Sequence, residues 1–216
     1  MTALHTLFGA SALSVIIGFT ALHTVQAATE STQSLADDWA HTVFEQPKST
    51  HKKQLAALHA RARDALANSS NDPDLLAWSG IIAATYAGAR GGLGALKVAK
   101  QAKADFEKAM AIDPEALDGG ARSSLGTLYA KVPGWPIGFG SKKKAEALLS
   151  ESAKRHPENL SAQYFYAEFL VDAKRDDEAR AILERASVIP PRADHEVADS
   201  GRKKEVLALI NVLDSR

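Results

Sequence analysis

The sequence contains no cysteine, and only 6% of its 216 residues are aromatic. The missing cysteine excludes disulfides, thiolate metal sites, a cysteine nucleophile and a lipid anchor built on an N-terminal cysteine. Net charge is missing as well, because 26 Lys and Arg are balanced by 26 Asp and Glu. That balance removes the long-range field that a general nucleic-acid binder or a polybasic membrane-surface protein needs, so neither partner is expected. What is present is ordinary for a globular chain: 45% hydrophobic and 24% charged residues, with many alanines that favour helix. A chain of this length can bury a core without staples.

Residues 1–29 hold no Lys, Arg, Asp or Glu, and an apolar run from Leu7 to Phe19 precedes the small-residue triplet Val25-Gln26-Ala27. This pattern predicts a secretory signal peptide, residues 1–27, cleaved after Ala27. Positive charge ahead of the run comes only from the amino terminus and His5, so an uncleaved membrane anchor is the alternative; the run is short against the roughly 20 residues of a membrane span. The expected location is the periplasm.

The remainder repeats. Ala102-Phe106-Ala109-Pro114, Ala145-Leu149-Ser152-Pro157 and Ala179-Leu183-Ala186-Pro191 share one spacing of small, large apolar, small and proline. Steps of four and three place these side chains on one helical face, the small ones admit a neighbouring helix closely, and the proline ends the helix. An amphipathic segment lies upstream of each: Leu76 to Tyr86, Ser123 to Ala130 and Ala162 to Val171. Each repeat is thus a helix pair, and the last two prolines are 34 residues apart.

These positions resemble the tetratricopeptide repeat (TPR) family. In the final repeat Tyr166, Ala167 and Leu170 match the first helix, and Ala179, Leu183, Ala186 and Pro191 the second; in the middle repeat Leu125, Gly126 and Tyr129 match the first helix, and in the first repeat Gly80 takes the small position. The fold class expected is all-α, a TPR-like helix-pair solenoid with two loop insertions and capping helices. Its parts would be a degenerate N-terminal helix pair at 31–72, three repeats at 73–193 and a C-terminal capping helix at 194–216. One face of the N-terminal pair carries Leu35, Trp39, Val43 and Phe44, and the next Leu55, Leu58, Ala62, Ala65 and Leu66. The first repeat is ten residues longer than the regular one around Gly88–Gly94, and the middle repeat seven longer around Pro133–Gly140.

The Gly-rich first insert, the PGWPIGFG second insert, the 34-residue repeat and the tail Pro190–Asp194 with Asp199–Arg202 together resemble the TatT-like accessory components of TRAP transporters. The resemblance covers residues 31 to 216. It implies a periplasmic protein assisting uptake of small organic acids or hydrophobic ligands, with a solute-binding protein as partner. Many members carry a lipid-anchoring cysteine, and this chain departs from them there. The other reading is a general cell-envelope scaffold for protein partners. A small organic ligand and a homo-oligomer also stand among the expected partners, and nucleic acid does not.

The first insert, GARGGLGALK, does not fit a phosphate loop: Lys97 stands three residues after Gly94, Val98 follows it, and no strand precedes. Its glycines suit a turn between helices, and Arg90 there is a candidate for holding a ligand carboxylate. The second insert carries Trp135, Ile137 and Phe139 on a loop stiffened by Pro133 and Pro136. Three large apolar groups need cover, either by folding over the repeat or by lining a ligand pocket or partner contact. Family positions place Asp74, Ala77, Ile81, Thr85, Ser123, Thr127, Lys131, Ser161, Tyr164, Glu168 and Asp172 on the concave face. Lys131 stands nearly alone there among carboxylates, which argues against a carboxylate clamp. Tyr86 and Tyr129 complete the binding candidates.

His51, His59, His156 and His195 show no metal-ligand spacing. The pairs Asp37-Asp38 and Asp176-Asp177 suit helix starts or turns, where carboxylates favour the amide end of the dipole, and adjacent residues point to different faces. No catalytic, metal or cofactor residue is expected, and the chain is read as a non-enzyme.

Overall fold

The computed structural model describes residues 32–216, so the signal-peptide reading of 1–27 lies outside the described residues. Helix α1 occupies 32–44. It is followed by α2 (Lys48–Asn68), α3 (Pro73–Arg90), α4 (Leu93–Ile112), α5 (Gly120–Lys131), α6 (Lys142–Arg155), α7 (Leu160–Asp172) and α8 (Asp176–Ser187). A 3₁₀ turn at Ala193–His195 then leads into α9 (Glu196–Asp214). No strand occurs among the described residues, and none of their helices is long and apolar enough to cross a membrane.

Local chemistry sets the helix ends. The Asp72 carboxylate accepts from the amides of Asp74 and Leu75, both at 3.0 Å, with Pro73 opening α3. Asn159 accepts from Ala162 N at 3.1 Å and caps α7. The turn between α7 and α8 closes with Lys174 N donating to Val171 O at 3.0 Å and Arg175 N to Leu170 O at 2.9 Å, the paired bonds of a Schellman ending. Asp176, Asp177 and Glu178 fill the first turn of α8, where the dipole favours them. Asp37 and Asp38 differ from expectation. They lie inside α1, at neither a helix start nor a turn, and Asp38 pairs with Arg61 of α2.

Packing follows the repeat. Ala102, Phe106 and Ala109, then Ala145, Leu149 and Ser152, then Ala179, Leu183 and Ala186, are all 0–1% exposed. They press α4, α6 and α8 onto their partners α3, α5 and α7. The small position is used closely: a β-carbon on Gly80 would stand 2.6 Å from the Phe106 ring, and one on Gly126 would stand 2.8 Å from Leu149. Helices α3, α5, α7 and α9 contact one another in sequence order and form the inner layer. Burial of each core leucine contributes on the order of 1.5–3 kcal/mol.

The two inserts behave differently. The extra residues of the first repeat do not form a loop: they lengthen the helices, so that α3 and α4 have 18 and 20 residues against 13 and 12 in α7 and α8. Only Gly91 and Gly92, at φ 63° and 66°, leave the helical region. The second insert is a true loop, closed by Gly140 N to Pro133 O at 2.9 Å and Ser141 N to Tyr129 O at 2.9 Å.

The ends of the superhelix meet. Gln33 of α1 donates to Asp194 O at 3.2 Å, Phe44 lies where a β-carbon on Gly201 would be, and the Arg202 guanidinium sits 5.6 Å from the Phe44 ring. Helix α1 therefore does more than cap one end. It leans across the inner layer onto α9.

Candidate functional site

Between α1 and the inner layer lies a half-open cavity of about 700 Å³. Trp39 and Val43 of α1 face Trp78 and Ile81 of α3 across it, and Ser123, Thr127 and Lys131 of α5, Ser161 and Phe165 of α7, and Arg192, Asp199 and Arg202 of the C-terminal segment complete the wall. Of the concave-face positions, Asp74, Ile81, Thr85, Ser123, Thr127, Lys131 and Ser161 line the cavity. Ala77 is fully buried behind it.

Most polar groups on the wall are already engaged. Trp39 Nε1 donates to Thr85 Oγ1 at 3.0 Å, fixing α1 to α3, and Thr85 in turn donates to Ile81 O at 2.8 Å. Thr127 Oγ1 donates to Ser123 O at 3.0 Å. Lys131 Nζ is 3.2 Å from both Glu168 and Asp172. Burial would lower the lysine's pKa, but these two carboxylates outweigh it and raise it. That pairing gives a physical reason why Lys131 is not a free carboxylate receptor.

The C-terminal wall is held by two arginines. Arg192 donates to Asp199 through its backbone N at 3.0 Å, Nε at 2.9 Å and Nη2 at 3.0 Å. Burial would raise the Asp199 carboxyl, yet the Arg192 bonds and charge hold it below the usual carboxylate range. Arg202, 7% exposed, lies 4.4 Å from the Phe165 ring centroid and 4.8 Å from that of Tyr164, and pairs with Glu205. Burial, with Glu168 and Glu205 nearby, pushes the Tyr164 hydroxyl well above its ordinary range.

Backbone strain also borders the cavity. Leu117 and Asp118 adopt φ 54° and 50° ahead of Gly119 at 75°, and both line it. Leucine in the left-handed region is held only where its surroundings over-determine it. Here Leu117 N donates to the Asp74 carboxylate at 3.0 Å, whose pKa burial raises against that bond.

The sequence candidates separate into three places. Lys131 lines the cavity, Glu168 is its counter-ion, and Tyr164 backs Arg202. Tyr86 and Arg90 lie off the wall, the guanidinium donating to the phenol oxygen at 3.4 Å, and the His59 ring lies 5.6 Å from that of Tyr86, tilted by 32°. Tyr129 is buried against Phe139 in an edge-on pair at 5.8 Å. Trp135 and Ile137 differ from the expectation that the loop's apolar groups find cover: they are 90% and 71% exposed. Only Phe139 packs, because the backbone bonds of the loop close it without help from the other two. Sequence reasoning missed Trp78, Phe165, Arg192 and Arg202 as wall residues. The signal available was the tail motif Asp199–Arg202, which brings two of the wall's side chains.

No group of three or more His, Asp or Glu able to hold a metal occurs among the described residues. The tetratricopeptide repeat family model matches residues 140–198, from the end of the second insert through α8 to the start of α9. No curated protein matches the chain. Repeats of this kind generally mediate protein–protein interaction. Residues 140–198 therefore carry a tetratricopeptide repeat, and the helix pairs around them follow the same all-α, TPR-like superhelical plan.

Proposed function

We propose that this chain is an exported, non-enzymatic accessory binding component of periplasmic, TRAP-type solute uptake. It holds a small organic ligand, docks a solute-binding protein, or does both in turn. The observation that carries the reading is the 700 Å³ cavity, of ligand size, with tryptophan and phenylalanine beside hydroxyls and ion pairs on its wall. The resemblance to the TatT-like components supplies the transport context. The uncharged, apolar residues 1–27 supply the export reading.

A second reading, a general envelope scaffold, is favoured by the TPR match itself. Co-purification from envelopes separates the two. Under the first, a solute-binding protein is recovered with the wild-type chain, and its recovery falls at least about tenfold when Lys131 is replaced by glutamate, which puts a third carboxylate beside Glu168 and Asp172. An unchanged set of partners without the transporter would sink the transport reading and leave the scaffold.

A further inference from the structure

The neutral charge of the whole chain conceals one local excess. Residues 131–144, KVPGWPIGFGSKKK, contain four lysines and no Asp or Glu. Lys131 is paired with Glu168 and Asp172. Lys142 and Lys143 are exposed and have no ion pair among the described residues, and Lys144 rests its ammonium 5.2 Å over the Tyr129 ring.

These three lysines are badly placed for folding. They form the first turn of α6, which has no acidic residue, so their charges oppose the positive end of the helix dipole. The tip beside them is equally costly to leave in water. Trp135 and Ile137 are held outward by a loop that cannot collapse around them. Ile137 N and Gly138 N both bond to Gly134 O, at 3.1 and 3.0 Å, Phe139 is pinned to Tyr129, and a β-carbon on Gly140 would stand 1.8 Å from Val132 O. Two apolar groups protruding from a rigid loop, next to unpaired cations at a helix start, have the chemistry of an interfacial anchor. Tryptophan settles at the headgroup level of a bilayer, and ammonium groups gain from lipid phosphates.

We propose that the Pro133–Gly140 loop with Lys142, Lys143 and Lys144 docks on an anionic bilayer surface, Trp135 and Ile137 entering the headgroup region. A protein partner fits the tip less well. Apart from the Trp135 ring nitrogen, residues 132–140 have no side-chain hydrogen-bonding group to fix register, whereas a protein interface surrounds its anchors with a polar rim. A bilayer needs no register. Overall neutrality excludes a long-range pull towards the membrane, and the contact is accordingly short-range.

The test uses the full chain and vesicles of phosphatidylcholine containing roughly one-third brominated phosphatidylglycerol, with tryptophan emission as readout. Trp39 and Trp78 are each only 9% exposed and stay out of reach, so quenching reports Trp135. The expected result is quenching on these vesicles. It disappears in Trp135→Leu. In Lys142→Ala/Lys143→Ala the lipid concentration needed rises about twenty-five-fold, from about fivefold per lysine. The quenching also weakens with added salt. All these positions are exposed, so the variants should melt as the wild type does. Equal quenching with brominated phosphatidylcholine alone, or quenching untouched by the lysine pair, would overturn the proposal. So would protection of Trp135 by a co-purified protein or a second copy without lipid quenching.

Discussion

Replacing Phe106 with alanine is expected to cost about 3–5 kcal/mol, the largest single effect in the molecule. Phe106 is 0% exposed, and its ring lies against the backbone of Gly80, so it fills the space where α3 and α4 cross. Truncation loses the ring's transfer energy and opens a cavity that two helices of 18 and 20 residues cannot close by bending. Urea unfolding followed by far-ultraviolet circular dichroism measures the loss. The geometry makes a sharper statement through a second substitution. Gly80→Ala alone drives a methyl to 2.6 Å from that ring and should cost about 1–3 kcal/mol, but in the Phe106→Ala background the methyl enters the vacated space. The double variant should therefore be less destabilised than the sum of the two singles by about 1 kcal/mol or more. Additive costs would show that these residues do not share one contact.

Arg202→Ala is expected to cost about 2–4 kcal/mol and to release α1. The guanidinium is 7% exposed, lies over Phe44, Tyr164 and Phe165, and pairs with Glu205. Its loss removes a desolvated cation from three rings and leaves a void between α1, α7 and α9. Lysine is no substitute, because a compact ammonium cannot stack on two faces. Amide exchange in 32–44 should accelerate together with the fall in stability, while exchange in α4 and α6 keeps its order relative to the global unfolding. Unchanged protection of 32–44 would mean that α1 is held by Trp39 and Thr85 alone.

The repeat was legible because it is local chemistry written at fixed intervals. Alanine, a large residue, a small residue and proline at steps of four, three and five fix both the buried face and the stop of a helix, and α4, α6 and α8 bury those residues. Seven cavity-wall residues were legible only through the resemblance to the tetratricopeptide repeat family, whose positions place them on the concave face; periodicity alone reaches no further than the buried faces. Sequence reading failed where a residue's fate depends on a distant partner. Gly88 and Gly94 read as a loop, yet each sits in a helix, because only Gly91 and Gly92 need positive φ. The meeting of α1 with α9 joins Phe44 to Gly201 and Arg202, and no local periodicity encodes a contact across that separation. The outward Trp135 escaped for the opposite reason. Apolar content argues for burial, but the loop's hydrogen bonds and close glycine contacts fix its shape before Trp135 has anything to pack against.

The central claim is that the cavity between α1 and the inner layer is where this protein binds. Native mass spectrometry of the chain purified from envelopes, beside Thr127→Trp, tests it most directly. Thr127 lines the cavity from α5, and an indole there intrudes on the space that a ligand would use. The account predicts a wild-type mass above that of the polypeptide, by a small organic molecule or a bound protein that denaturation releases, and the bare polypeptide for Thr127→Trp. A bare polypeptide in both, or an adduct that survives the substitution, would contradict it.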